Sequence, residues 1–235
     1  MKSVAISVII LADNENDNIV KAIASVCNQT FQDYEIIVVD DCPSDRIFQQ
    51  VAEQYGELEN LIYIRNDHVI GKSASINTGV LSANGKYVAF LEQTAEWMPD
   101  KLKKQLQVML SEGRDFVYSE FLYKGKEGKK WPPVEWAMQR KEGMVFPSLL
   151  LTPLADLSTI LVKKELFIEC GGMNQNLAVL PEYEFMLRVA EGCPVSFVDE
   201  VLAVSSQKRN HIENKNEEIA VLCQILIAEL SDSPA

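Results

Sequence analysis

Acidic side chains end the apolar runs of this chain. Ile6-Ser7-Val8-Ile9-Ile10-Leu11-Ala12 stops at Asp13-Asn14-Glu15, and Ile36-Ile37-Val38-Val39 stops at Asp40-Asp41. An ionised carboxylate is a pure hydrogen-bond acceptor, suited to a ring N–H or to a cation. Further along, Pro181 opens a helical pattern with Glu182 and Glu184 in its first turn. A carboxylate there is stabilised in its charged form by the helix dipole, whether it serves a site or simply faces solvent in the first turn. Lys72 is placed either to neutralise a phosphate or simply to stand in solvent.

These groups need elements to hold them. Strand-like runs fall at Ser3–Leu11, Glu35–Asp40, Leu61–Arg65, Tyr87–Leu91 and Asp115–Tyr118. Helical patterns lie between them at Asp17–Asn28, Ser44–Tyr55, Gly71–Ala83 and Asp100–Ser111. In the last of these Leu102, Leu106, Met109 and Leu110 share a face. Such alternation predicts an α/β fold with a parallel sheet covered on both sides. Ligands of open parallel sheets bind at the carboxyl ends of the strands, where the acidic groups collect. No glycine occurs from Leu11 to Ile19, so a G-x-G-x-x-G dinucleotide loop, and with it a nicotinamide oxidoreductase, is disfavoured.

After Ser119 the pattern changes. Lys124–Lys130 reads as a polar hairpin tip, or as a basic lip for an anionic acceptor. The proline-rich stretch Trp131–Pro153 reads as an irregular cover. A second ordered block follows: a strand at Ser158–Val162, a helix at Lys164–Cys170, the turn Gly171-Gly172, a helix at Glu182–Glu191, and strands at Val195–Val198 and Val201–Ser205. A final helix is expected over Ile212–Leu230, its stripe packing on the body of the protein or, less expectedly, forming a homodimer contact.

The chain has 235 residues and a formal net charge of −12, which opposes binding to nucleic acid in general. No apolar run is long enough to span a bilayer, and the start lacks a signal-peptide pattern. Five scattered cysteines without a C-x-x-C pair read as reduced thiols, so a cytoplasmic location, at most peripheral to a membrane, is expected.

The blocks around these residues resemble the family 2 glycosyltransferases, which carry the GT-A fold. The opening Ile6–Glu15 is similar to the family's V-S-V-I-I-P-x-Y-N-E. Ser25-Val26-Cys27-Asn28-Gln29-Thr30, continuing through Asp33-Tyr34-Glu35 to Asp40-Asp41 and Ser44-Asp45, follows its S-V-L-N-Q-T…D-x-E-I-I-V-V-D-D-G-S-x-D nearly continuously. Gly71-Lys72-Ser73-Ala74-Ser75-Ile76-Asn77-Thr78-Gly79 is similar to G-x-S-x-A-x-N-x-G. Gly171-Gly172-Met173 and Glu182–Arg188 are similar to G-G-F and E-D-x-D-L-x-L-R. The resemblance runs over about residues 4 to 205.

It implies one GT-A domain over 1–235, with a nucleotide-binding half (1–119), an acceptor-side half (120–211) and a C-terminal helix (212–235). It implies transfer, with inversion, of a sugar from a nucleotide-sugar donor, a UDP-sugar foremost, to a carbohydrate or lipid-linked acceptor hydroxyl, as in polysaccharide assembly. Asp41 matches the position that meets the uracil ring, and Asp13 stands where relatives carry tyrosine near the base. Asp40 and Lys72 complete the nucleotide-binding candidates. Asp40 or Asp41 has an alternative use as a cap for the helix beyond Ser44.

Glu182 matches the catalytic base, with Glu184 as second candidate. Relatives use aspartate there, and the extra methylene shifts the carboxylate by roughly 1 Å, enough to matter about 10²-fold in rate. Where the family has F-L-D-x-D-D to hold Mg²⁺ or Mn²⁺, this chain reads Phe90-Leu91-Glu92-Gln93-Thr94-Ala95-Glu96. Glu92 keeps the first carboxylate, neutral Thr94 replaces the second, and Glu96 is the remaining candidate ligand. The alternative to transfer is a degenerate domain of the same fold that binds without catalysing.

Overall fold

The computed structural model describes residues 4–14, 18–124, 130–131, 141–149, 155–177 and 180–205. The expected helix over Ile212–Leu230 lies outside them, as do the tip 125–129 and most of Trp131–Pro153.

Four strands form a parallel block. β1 (Ile6–Ala12) lies between β2 (Tyr34–Asp40) and β4 (Tyr87–Glu92), and β3 (Leu61–Arg65) flanks β2. Every residue of β1 and β2 is buried, which is why both read as unbroken apolar runs rather than alternating ones. Successive side chains feed opposite layers. Ile9, Ile37, Val39 and Phe90 join one core, while Val8, Ile10, Ile36 and Val38 join the other.

Helices α1 (Ile19–Cys27), α2 (Arg46–Tyr55) and α3 (Lys72–Ser82) make the crossovers. α3 approaches β1 and β2 closely because Gly79 has no side chain. A Cβ there would stand 2.6 Å from Ile9 Cγ2 and 3.1 Å from Val39 Cγ2. Lys72, at the start of α3, is thereby held over the strand ends.

Beyond β4 the sheet continues through β8 (Leu161–Lys163), β6 (Phe116–Tyr123), β9 (Ser196–Ser205) and the short β5 (Ala95–Trp97). β8 is antiparallel to β4 and β6, β5 is antiparallel to β9, and β6 and β9 are parallel. β7 (Lys130–Trp131) pairs antiparallel with β6, giving the expected hairpin. The result is a mostly parallel sheet flanked by helices.

Several elements differ from expectation. The strand expected at Ser158–Val162 begins only at Leu161. Leu157–Thr159 is a 3-10 turn, whose first residue follows Asp156, and the Asp156 carboxylate accepts from Ser158 N. The two strands expected around Val195–Ser205 are one, β9. Its register with β6 jumps from Ser119↔Val198 to Glu120↔Val201, so exposed Asp199 and Glu200 bulge out without ending the strand.

In α4 (Lys101–Glu112) Leu102 and Met109 are buried as the spacing predicts, but Leu110 is 63% exposed. Gln105 is buried instead, its amide donating to Thr159 O. Lys101 is also fully buried, its ammonium over the Trp97 ring and donating to Gln105 Oε1 at 2.6 Å. Burial alone pushes its pKa well below the usual lysine range.

Helices α5 (Phe146–Leu149), α6 (Lys164–Glu169) and α7 (Pro181–Gly192) complete the described elements. None of the described helices is long and apolar enough to cross a membrane.

Candidate active site

Four of the predicted residues meet at the carboxyl ends of β1 and β4. Lys72 Nζ lies 2.6 Å from Glu92 Oε1 and 3.3 Å from Glu182 Oε2. Asp13 stands beside them at the solvent rim. Desolvation by the surrounding protein, then the Glu92 charge, raises its pKa, while Lys72 pulls it down less strongly. Two carboxylates from two elements therefore accept from one ammonium, and Asp13 at the rim feels its charge.

Each arrives by a different local device. Asp13 is the first residue past β1, and Glu92 is the last of β4, its N–H donating to Ser158 Oγ at 3.3 Å. Glu182 follows Pro181, whose fixed φ and missing N–H suit the first turn of a helix. The preceding Leu180 is buried in the left-handed region, at φ 54°. That conformation costs about 1–3 kcal/mol in a non-glycine residue and persists only where the surroundings enforce it. It turns the chain so that Glu182, only 4% exposed, enters the cluster from the far half of the chain.

Asp41 does something different. Its Oδ1 accepts from Asn66 Nδ2 at 2.8 Å and Ile70 N at 2.9 Å, and its Oδ2 accepts from Gly71 N at 2.8 Å. Three of about four lone-pair positions are taken, so Asp41 pins the loop leading into α3 and leaves one position for a further donor. Asp40 accepts from Cys42 N at 2.9 Å and from the Tyr63 hydroxyl. Neither carboxylate caps α2, whose start has no side-chain cap. Burial and the Asp40 hydrogen bond both raise the Tyr63 pKa.

The remaining two candidates lie apart. Glu184 forms a two-pronged pair with Arg188, at 2.5 Å and 2.7 Å, and Arg188 also donates to Cys170 O and Gly172 O. Glu184 thus ties α7 to the Gly171-Gly172 turn. Glu96 is exposed on β5, between buried Ala95 and Trp97.

The usual divalent ion fits this donor set poorly. Glu92 is engaged by Lys72, residue 94 offers a neutral hydroxyl, and Glu96 faces solvent. Among the described residues no three acidic, histidine or cysteine side chains are grouped to hold an ion.

Sequence reasoning did not single out Gln93. Its amide donates to Asn14 O at 2.9 Å and to Asp13 Oδ1 at 3.3 Å. Its Oε1 is buried without a donor among the described residues. Asn66 and Leu180 were also missed. The position of Gln93 inside the metal motif was the one signal available; the other two carry none.

Comparison with known proteins places this geometry. The pattern described as Glycosyl transferase family 2 matches residues 7–171, more than half of the chain. The UDP-Glc:alpha-D-GlcNAc-diphosphoundecaprenol beta-1,3-glucosyltransferase WfgD of Escherichia coli is 30% identical over 52% of this chain and 47% of its own length. The chain spans less than two thirds of other curated relatives too, 62% of two of them.

Among solved structures, TarS 1-349 of S. aureus in complex with UDP-GlcNAc covers 98% of the chain and 68% of its own, with TM-score 0.78 at 17% identity. A Pyrobaculum calidifontis mannosyltransferase in complex with GDP-Man and Mn²⁺ covers all of the chain and 66% of its own, with TM-score 0.71 at 18% identity. At such identities these two establish the fold, GT-A. With the sequence match over the strands and helices that carry Asp13, Asp41, Lys72 and Glu92, the chain belongs to the family 2 glycosyltransferases.

Proposed function

We propose that the chain moves a sugar from a nucleoside-diphosphate donor to an acceptor hydroxyl with inversion, Glu182 serving as the base. One observation carries the assignment to Glu182: a nearly buried carboxylate in the first turn of α7, brought by the strained Leu180 to within 3.3 Å of the lysine at the donor-side strand ends. The helix start favours its charged form, and a base must be charged and within reach of the proton it removes. Glu184 is a positioning residue, since both its oxygens serve Arg188.

Asp41 and Asp13 line the nucleotide side, with the buried Asp40 bracing the end of β2 behind them. The last free acceptor position of Asp41 suits a ring N–H, which favours a uracil base and a UDP-sugar. The likeness to a glucosyltransferase named for a UDP-Glc donor and a diphosphoundecaprenol-linked acceptor supports that donor class and a lipid-linked carbohydrate acceptor. Residues 1–119 then serve the donor and 120–211 the acceptor, at a membrane surface on the cytoplasmic side.

The test is Glu182→Gln, an isosteric change that removes the base. Calorimetry should show UDP still bound. Release of UDP from a UDP-sugar, with a lipid-linked or soluble carbohydrate acceptor, should fall about 10²–10⁴-fold, the span of general-base contributions. Unchanged turnover would take Glu182 out of the mechanism. UDP binding without turnover on any donor would favour a domain that binds and does not transfer.

A further inference from the structure

The cluster at Lys72 raises an electrostatic problem. The protein carries a net charge of −12, and the strand ends gather Asp13, Asp40, Asp41, Glu92 and Glu182. A diphosphate entering there meets like charge unless a cation faces it. The residues of the usual metal position do not form an ion site among the described residues, whereas an ammonium already stands against Glu92, the surviving carboxylate of that motif.

We propose that Lys72 supplies the positive charge for the donor diphosphate in place of a divalent ion, exchanging Glu92 and Glu182 for phosphate oxygens when the donor binds. This rests on the reading of the chain as a nucleotide-sugar transferase.

Three features suit Lys72 to the exchange. It is the first residue of α3, on a helix fixed at one end by Asp41 and along its length by the close approach at Gly79, so the base of its side chain is rigid. Its ammonium is about one quarter exposed and sits on a flexible four-carbon stem with three rotatable donors. Its two carboxylate partners are unequal, at 2.6 Å and 3.3 Å, so the bond to Glu182 is the weaker and the first to be given up.

Departure of Lys72 withdraws its 3.3 Å hydrogen bond from Glu182 Oε2. The acceptor oxygen then bonds to the anomeric carbon and its proton passes to Glu182. The bond from that carbon to the phosphate oxygen breaks, with the electron pair remaining on the nucleoside diphosphate. Lys72 stays protonated throughout and stabilises the charge that develops on the leaving oxygen.

The experiment is calorimetric titration with UDP, GDP and uridine, in EDTA and in Mn²⁺, for the wild type, Lys72→Met and Lys72→Arg. Wild-type UDP affinity should agree within about twofold between EDTA and Mn²⁺. Lys72→Met should weaken UDP by about 10–100-fold, the range for a lost charge-assisted contact, and leave uridine unchanged. Lys72→Arg should recover most of the loss.

UDP binding that requires Mn²⁺ would overturn the proposal and leave the transferase reading standing. So would unchanged UDP affinity in Lys72→Met, or an equal loss for UDP and uridine. Failure of UDP and GDP to bind under either condition would remove both readings.

Discussion

At the amino end of β2, Glu35 is buried and takes three hydrogen bonds from within the protein. It accepts from Ser7 Oγ, from Asn84 N and from Asn84 Nδ2, and Ser7 Oγ in turn accepts from Gly85 N at 2.8 Å. Some five residues away, at the carboxyl ends of the same block, Asp13, Glu92 and Glu182 crowd around one lysine, and Gln93 Oε1 has no donor among the described residues. One end of the sheet spends its carboxylate on closing the fold. The other sets an ion pair of Lys72 with Glu92 and Glu182 beside Asp13 at the solvent rim, the place proposed for the donor.

The two lysines repeat the contrast. Lys101 is sealed between the Trp97 ring and Gln105, while Lys72 is partly exposed among acids. Lys101 is held wholly within the protein, as a structural polar group is, whereas Lys72 is the one proposed to meet the donor.

The largest test of this contrast is Glu35→Ala. It leaves the buried Ser7 hydroxyl without its acceptor and turns both N–H groups of the exposed Asn84 over to water. It should cost about 2–4 kcal/mol of stability, read as a lower urea midpoint at unchanged slope. Donor binding by the folded fraction should be preserved. A loss below about 1 kcal/mol would mean that this end is no better satisfied than the other.

Lys101 gives an intermediate effect with a pH signature. Its folded pKa is depressed by burial, so between that value and the ordinary lysine value the unfolded chain binds the extra proton. Stability from this group therefore rises with pH across that window, by at most about 1.4 kcal/mol per pH unit, and is flat outside it. Lys101→Met keeps the bulk and removes the titration. The difference in urea midpoint between wild type and variant should shift with pH on the alkaline side of neutrality. A constant difference from pH 7 to 10 would show that Lys101 stays protonated in the folded state.

Much of this was written in residue order. The apolar runs of β1 and β2 gave the parallel block, and the acidic ends gave the site, because strand ends are where a parallel sheet exposes its backbone to ligands. The family-like blocks prove to hold one another. Asn77 donates to Met173 O and accepts from Met173 N, both at 2.9 Å, and Arg188 reaches the same Gly171-Gly172 turn. Similarity of blocks therefore reported packing as well as chemistry.

What the sequence hid was long-range. Nothing local says that Lys72 will stand against Glu182 across 110 positions, that Leu180 will adopt φ 54°, or that Gln105 will displace Leu110 from the buried face. Those choices are made by the neighbours the fold supplies, such as the Thr159 carbonyl that Gln105 must satisfy.

The smallest expected effect falls at the open end. Glu92 and Lys72 are each about one quarter exposed, so their ion pair is screened by solvent and contributes less than about 1 kcal/mol. Glu92→Gln should leave the urea midpoint nearly unchanged, unlike the matching loss at Glu35. Its effect on ligand binding separates the two roles this carboxylate can have. If Glu92 holds Lys72 until a diphosphate arrives, the variant removes a competing acceptor and a like charge from the cleft, and UDP should bind about threefold tighter, as expected for one partly screened charge several ångströms away. If Glu92 instead holds a divalent ion, the same change weakens UDP in Mn²⁺ and has no effect in EDTA. The sign of a single calorimetric difference thus tells whether this end of the sheet keeps its charge for a lysine or for a metal.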